Sequence, residues 1–324
     1  MRKLNMKLLL LVFCLTLTRC MCQNSCPSKE DINPCSCSVG VDQKPWMSCE
    51  GLTSAAALKN VVKGMKNYKF STFNIEKSNI GVLEADTFLG LKIRSLNILF
   101  SNITSISEMP HRPPFLGLES SLESLEIRDA FISEENPLFR LSLSHLKKLT
   151  FLQFEGNVIS ILGNDWFESG PYGLKEVYLL DTYTKKVGSH VFSALNQLRK
   201  ISLTGGSISE ISRDMFPIPA TFLEAIDFSN NKISTLPKDI FSKMPSLTEV
   251  FLDNNAFTAI DEINYTLVWS QLSHVFYLGN PLKCDENMKW IFKSRLPESL
   301  QGTCASPPSL QYRPLSNLTL EDFE

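Results

Sequence analysis

The sequence predicts an α/β solenoid: a curved parallel sheet on a concave face, returned by irregular, 3-10 or short helical segments, with a disulfide-bonded cap at each end. Three observations predict it. One apolar frame recurs nine times at nearly constant spacing. The cysteines left after removal of a leader lie only at the two ends. A single apolar run stands ahead of them all.

The leader comes first. "MRKLNMK" carries Arg2, Lys3 and Lys7 without an acid, and "LLLLVFCLTL" (8–17) follows. That run is too short to span a bilayer and has the form of a secretory signal peptide, assigned to 1–22. Small Cys20 and Cys22 suit the positions before a cut after Cys22. Of nine cysteines, that cut removes Cys14, Cys20 and Cys22 and leaves six, an even number suited to an oxidising compartment. A cut after Cys20 would leave seven. Loss of Arg2, Lys3, Lys7 and Arg19 takes the formal charge from −2 to −6. No basic stripe remains to meet nucleic acid or an anionic membrane. No later apolar run has membrane length, so the mature chain is expected to be secreted and extracellular, without a membrane anchor.

Residues 23–67 read as an N-terminal cap. Cys26, Cys35, Cys37 and Cys49 are spaced C-x8-C-x-C-x11-C. Irregular gaps in a secreted chain favour disulfides over a four-thiolate zinc site, and four cysteines allow three pairings. In "SAAALKNVVKGM" (54–65), Leu58, Val61, Val62 and Met65 fall at helical spacing and predict a helix packed on the cap.

Residues 68–278 hold the repeats. "LEAIDFSNNKI" (223–233) and "LTEVFLDNNAF" (247–257) both fit L-x-x-L-x-L-x-x-N-x-L. The frame starts at Phe70, Ile93, Leu122, Leu149, Leu174, Leu198, Leu223, Leu247 and Leu272, at intervals of 23 to 29 residues. This is the leucine-rich-repeat period. Each L-x-L is a short strand with alternate side chains turned inward, and no single copy buries its apolar face alone. A later apolar residue (Ile80, Ile103, Ile132, Ile159, Ile208, Ile233, Phe257) turns back into the core. On the return side Phe88, Phe167, Phe192, Phe216 and Phe241 form a column expected to stack. The asparagine position holds Asn157, Asn231, Asn255 and Asn280, which should satisfy backbone groups at the bend. Ala130 and Gly206 stand there in two copies, so water or an altered bend must compensate. The insertion "SEMPHRPPFLGLESS" (107–121) reads as an exposed loop from its prolines.

The ends resemble the caps of extracellular leucine-rich-repeat proteins. For the N-terminal cap this implies Cys26–Cys37 and Cys35–Cys49. C-terminal caps of this class begin N-P-L-x-C-x-C-x4-W. Asn280, Pro281, Leu282, Cys284 and Trp290 match, while Glu286 replaces the second cysteine. The resemblance implies a bond from Cys284 to Cys304, no second bond, and Trp290 with Ile291 plugging the last repeat of a cap at 279–324. With "CPSKEDINPCSC", "MSCEGLTSAAALKNVV" and the closing "LEDF" (320–323), the chain resembles the arthropod secreted leucine-rich-repeat proteins grouped with the non-catalytic subunit of Oplophorus luciferase. What that implies is an accessory, stabilising subunit whose partner is an extracellular protein, such as a small secreted oxidase subunit. It implies no luminescence.

No enzyme is expected, and neither a cofactor nor a metal. His111, His145, His190 and His274 lie in no H-E-x-x-H, and no G-x-S-x-G or Walker loop occurs. The function expected is binding. Nine strands about 4.8 Å apart and about 17 Å long offer roughly 700 Å², near the roughly 800 Å² one partner gives a standard interface. The residue between the two strand leucines points outward, giving the column Asn74, Asn97, Glu126, Gln153, Tyr178, Ser202, Asp227, Phe251 and Phe276. Tyr178, Phe251, Phe276, neighbouring His274, Glu126 and Asp227 are the partner-contact candidates. Glu123, Asp129, Glu155, Glu176 and Asp181 extend an acidic patch. Sequons at Asn102, Asn264 and Asn317 are glycan acceptor candidates off that column. An innate-immune recognition or adhesion protein, and a monooxygenase subunit that lends binding-site residues, are the alternatives.

Overall fold

A computed structural model of the chain describes residues 25–41, 43–107, 113–131 and 141–323. The expected leader, His111 and Ile132 lie outside them. The chain divides into two compact units, Met1–Glu126 and Ile127–Glu324.

The first unit opens with an antiparallel hairpin, β1 (Ser36–Val39) and β2 (Pro45–Glu50). Disulfides Cys26–Cys37 and Cys35–Cys49, the pairing the resemblance implied, tie the hairpin to the segment before it. Helix α1 (Ala55–Met65) starts where Ser54 Oγ accepts the Ala57 N–H at 3.2 Å, satisfying a donor the helix leaves open. It buries Leu58, Val61, Val62 and Met65, as their spacing predicts. Strands β3 (Phe70–Glu76) and β5 (Ile93–Leu99) continue from β2 as a parallel sheet in which Ser48, Asn74 and Asn97 are in register. A second small parallel sheet, β4 (Asn79–Glu84) with β6 (Asn102–Ser107), forms the return side.

The proline-rich insertion departs from expectation. Residues 108–112 lie outside the described set, but its later part is core: Phe115 and Leu118 are 1% and 0% exposed. Phe115 stacks on Phe88 at 6.0 Å between centroids. The reason is visible in the chain, because "FLGL" stands at both 88–91 and 115–118. Phe115 therefore takes the return-side aromatic place of its own copy. Gly117 follows at φ +98°, with its α-carbon against the Leu89 backbone where a β-carbon would be 2.7 Å away. β7 (Ser124–Arg128) alternates buried Leu125 and Ile127 with half-buried neighbours.

In the second unit, β8 (Phe151–Glu155), β10 (Glu176–Leu180), β12 (Lys200–Leu203), β13 (Ala225–Asp227), β14 (Glu249–Phe251), β15 (His274–Phe276) and β17 (Ser299–Gln301) pair in sequence order, all parallel. Short pairs β9 (Ile161–Leu162) with β11 (Lys186–Val187), and β16 (Leu282–Lys283) with β18 (Cys304–Ser306), lie on the return side. The return-side phenylalanines Phe167, Phe192, Phe216 and Phe241 are at most 3% exposed. Their stacking is partial: Phe167 meets Phe192 at 5.6 Å, whereas Phe241 meets Tyr265 at 5.1 Å and Phe216 meets Phe228 at 6.3 Å.

The asparagines work as expected. Asn255 Oδ1 accepts the Ile233 N–H at 3.0 Å, and its Nδ2 donates to the carbonyls of Phe228, Leu252 and Asp253. Asn231 and Asn280 repeat the arrangement one copy away on either side. The two defective copies are served by the next copy along. Asn157 Oδ1 accepts from both Ala130 and Phe131 at 3.1 Å, and Asn231 Oδ1 lies so close to Gly206 that a β-carbon there would be 2.8 Å from it.

One column escaped sequence reasoning. The residue before each asparagine position has positive φ: Asp129, Gly156, Asp181, Gly205, Asn230, Asn254 and Gly279 in this unit. Aspartate, asparagine and glycine are the residues that tolerate this conformation. The side chains of Asp129, Asp181 and Asn254 fold over Gly156, Gly205 and Gly279, filling the space a β-carbon would need. Where two asparagines follow each other, Asn254 Nδ2 donates to Asn230 Oδ1 at 3.0 Å.

The C-terminal cap carries Cys284–Cys304 as its one disulfide. Between them a 3-10 helix, Glu286–Lys293, buries Met288, Trp290 and Ile291. Trp290 Nε1 donates to the Ile260 carbonyl at 2.9 Å, and its ring packs on Trp269 at 4.7 Å. A tail then clasps the cap. Phe323 sits 5.3 Å from Phe292, Leu315 and Leu318 are buried, and Arg313 forks onto both Asp322 oxygens at 2.5 and 3.2 Å.

Candidate functional site

The strands of the second unit set three rows of side chains on their open face, because every second residue points away from the core. The predicted central row is in register: Gln153, Tyr178, Ser202, Asp227, Phe251 and Phe276 lie side by side. Gln301 of β17 extends it by one, from a strand beyond the ninth copy. Inward neighbours Val177, Ile201, Ile226, Val250 and Val275 are buried to 1% or less, which holds each outward residue in place.

Phe251 and Phe276 are half-exposed and meet edge to face, 5.0 Å between centroids and 79° between planes. His274 lies 6.1 Å from Phe276, with its Nδ1 2.9 Å from Ser273 Oγ. Tyr178 packs on Phe151 at 5.6 Å, and its hydroxyl donates to Glu176 at 2.8 Å. Burial first, and the Glu176 carboxylate second, hold that phenol well above the ordinary range, so it stays protonated. Asp227 accepts from Ser202 Oγ at 3.0 Å and from the Ser229 N–H at 2.9 Å. Asp253 accepts the Leu278 N–H at 2.6 Å; burial raises its pKa and the Asp227 charge adds to the rise.

Phe151, Glu249 and Asp253 were missed by sequence reasoning. They stand two residues before or after the central row on the same face, so the period-2 alternation that gave the row contained them. Glu126 keeps its outward place in β7 of the first unit. In that unit Asn97 Nδ2 donates to Asn74 Oδ1 at 2.9 Å, joining the two asparagines of the row. The acids assigned to a second patch are largely engaged. Glu123 pairs with Arg94 at 2.7 Å, and Glu155 with Arg128 at 3.2 Å.

One glycan acceptor is corrected. Asn264 lies in α2 (Glu262–Tyr265) and is 6% exposed. Its Nδ2, the atom a glycan would occupy, donates to the Leu236 and Pro237 carbonyls at 3.2 and 2.9 Å. That sequon is a structural asparagine. Asn317 is exposed and Asn102 half-exposed.

His190 is exposed beside Ser189, and His145 is half-buried on the return side. Among the described residues no group of three His, Cys, Asp or Glu side chains is placed to hold a metal ion, and no helix is long and apolar enough to cross a membrane.

A family model described as the BspA type leucine rich repeat region matches residues 63–216 and 160–277, in six copies. The chain is 23% identical over 330 residues to the Oplophorus-luciferin 2-monooxygenase non-catalytic subunit of Oplophorus gracilirostris, covering 91% of this chain and 86% of that one. It is 21% identical to Toll-like receptor 9 of Mus musculus over 80% of this chain, and 28% identical to the trophoblast glycoprotein of Mus musculus over 40%. The chain spans about a third of the length of these last two, 33% and 32%.

Proposed function

The chain belongs to the BspA-type leucine-rich-repeat family, and from that premise we propose that it is a secreted, non-catalytic accessory subunit that holds an extracellular protein on the open face of its repeat sheet. The leader at 1–22 is removed, the N-terminal cap covers 23–67, the repeats 68–278, and the C-terminal cap and tail 279–324. Asn102 and Asn317 carry the glycans, away from the open face.

The observation that carries the reading is the Phe251–Phe276 pair. Two large apolar rings are half-exposed side by side on the open face, whereas the other aromatic pair there, Phe151 with Tyr178, has its hydroxyl tied to Glu176. Aromatic anchors of this kind dominate interface energetics, and truncating one costs about 2 kcal/mol or more where it is a hot spot. Similarity to a monooxygenase subunit named as non-catalytic supports an accessory role, and a small secreted oxidase is the partner proposed.

The test is affinity capture from the secreted fluid, using purified chain and its Phe251→Ala/Phe276→Ala variant. One stoichiometric protein should be retained by the first and lost by the second, with unchanged thermal unfolding. Unfolding of the variant would show the pair to be core and defeat the reading. Similarity to Toll-like receptor 9 favours one other reading, an extracellular recognition protein. Capture of glycans or microbial surface material in place of one protein would establish it instead.

A further inference from the structure

The open face of the second unit differs from one end to the other. Toward β8 and β10 the acids are committed: Glu155 pairs with Arg128, and Glu176 accepts the Tyr178 hydroxyl. Around the phenylalanine pair they are not. Glu249 and Asp253 flank Phe251 at two residues on either side along the chain, hence on the same face. Asp227 is its register neighbour on β13. Asp227 and Asp253 accept only from Ser202, Ser229 and Leu278, all uncharged. The Glu249 carboxylate accepts no hydrogen bond among the described residues, and none of the three acids has an ion-pair partner there. In the Glu249 row Lys200 stands two strands away, and His274, the register neighbour on β15, has its Nδ1 on Ser273 Oγ and makes no ion pair with Glu249.

The rings add a second requirement. In an edge-to-face pair only one of the four ring faces is covered by the other ring; His274 stands against Phe276 as well, 6.1 Å away, and both phenylalanines remain half-exposed beside the three carboxylates. Aromatic faces and carboxylates have one ligand in common, a cation. Of the protein cations, the flat guanidinium both stacks on a ring and forks onto a carboxylate, which an ammonium does not.

We infer that this corner of the open face seats an arginine side chain of the bound protein, stacked on the Phe251–Phe276 pair and forked onto Glu249, with Asp227 and Asp253 supplying further negative charge. This rests on the reading of that face as the partner surface and names what the partner presents to it. The partner's contact segment is therefore basic, which complements the −6 formal charge expected of the mature chain, the full −2 less Arg2, Lys3, Lys7 and Arg19.

The probe is a blocked Gly-Gly-Arg-Gly-Gly peptide, titrated into the full mature chain and followed by NMR at the Phe251 and Phe276 ring protons. Its control carries citrulline, which has the same shape without the charge. Saturable ring shifts are expected with the arginine peptide, about tenfold tighter than with citrulline, and weakened about tenfold again by Glu249→Gln. Raising the salt to about 0.5 M should also weaken binding. Equal binding of the two peptides, or no saturable shift, overturns the inference. If that happens while capture from secreted fluid still depends on the phenylalanines, the accessory-subunit reading stands alone. Arginine binding that needs Glu249, with capture indifferent to the phenylalanines, overturns that reading and keeps this one.

Discussion

Replacing Asn157 with alanine should cost more than replacing Asn255, although both occupy the same place in their repeats. The reason lies in what each deletion strands. The Asn255 amide donates to three carbonyls, and each keeps another donor: Asn231 Nδ2 for Phe228, Asn280 Nδ2 for Leu252, and the Asn230 N–H for Asp253. Only the Ile233 N–H loses its acceptor. One buried orphan costs about 1–3 kcal/mol. Asn157 Oδ1 is the shared acceptor of two N–H groups, Ala130 and Phe131, and its Nδ2 also serves the Ile127 carbonyl. Two orphaned donors put Asn157→Ala at about 2–6 kcal/mol by the same count, twice the Asn255→Ala cost. The assay is urea unfolding of both variants, with amide exchange read at Ile233 in one and at Ala130 and Phe131 in the other. Protection should be lost at those amides first, since repeats couple chiefly to their neighbours. Equal costs, or unchanged protection at Ala130 and Phe131, would refute the counting and show that water replaces the lost amide.

Two further outcomes concern the C-terminal cap. A thiol reagent should find nothing at Cys284 in unreduced mature protein, and Cys284→Ser with Cys304→Ser should lower stability by about 3 kcal/mol, from the 20-residue separation the bond closes; labelling of Cys284 without reductant would refute this. The tail clasp should loosen in acid. The fork from Arg313 first, and the Thr319 N–H second, hold the Asp322 carboxyl below its ordinary value. A depressed carboxyl stabilises the fold fully above its unfolded pKa of about 3.9 and loses that contribution as pH falls through the lower folded value. Protection factors of the amides of 318–323, taken against intrinsic exchange at each pH, should therefore fall below about pH 4 in the native chain, and at neutral pH already in Asp322→Asn.

The frame was legible because it is periodic. Nine copies of L-x-x-L-x-L fixed which residues face inward, and the register of Tyr178, Ser202, Asp227, Phe251 and Phe276 came from counting by two. The cysteine pairs came from resemblance to known caps. What stayed hidden depends on contacts between copies or on local context. Phe115 was masked by the prolines before it, although its "FLGL" repeats the motif of Phe88. Asn264 matches a sequon, and only the packing of α2 against the Leu236 and Pro237 carbonyls uses up its amide. Glu249 and Asp253 were on the counted face but outside the counted row. The tail clasp needed the third dimension, since Arg313 and Asp322 are brought together by the turn between them.

The positive-φ column has a consequence for how such a chain can be built and rebuilt. The turn residue of one copy lies over the turn of the next, so a residue's fitness at that position is decided by the copy before it. Glycine suits a place that an aspartate or asparagine overhangs, as at Gly156, Gly205 and Gly279, and an asparagine suits a place where it can reach back to another. Copies are therefore not interchangeable modules. Duplicating the copy with Asp181, so that aspartate followed aspartate, would set two carboxylates against each other. Duplicating the copy with Gly205 would leave a notch that no side chain fills. Recombination within the array is filtered at this one position, by a rule about neighbouring pairs.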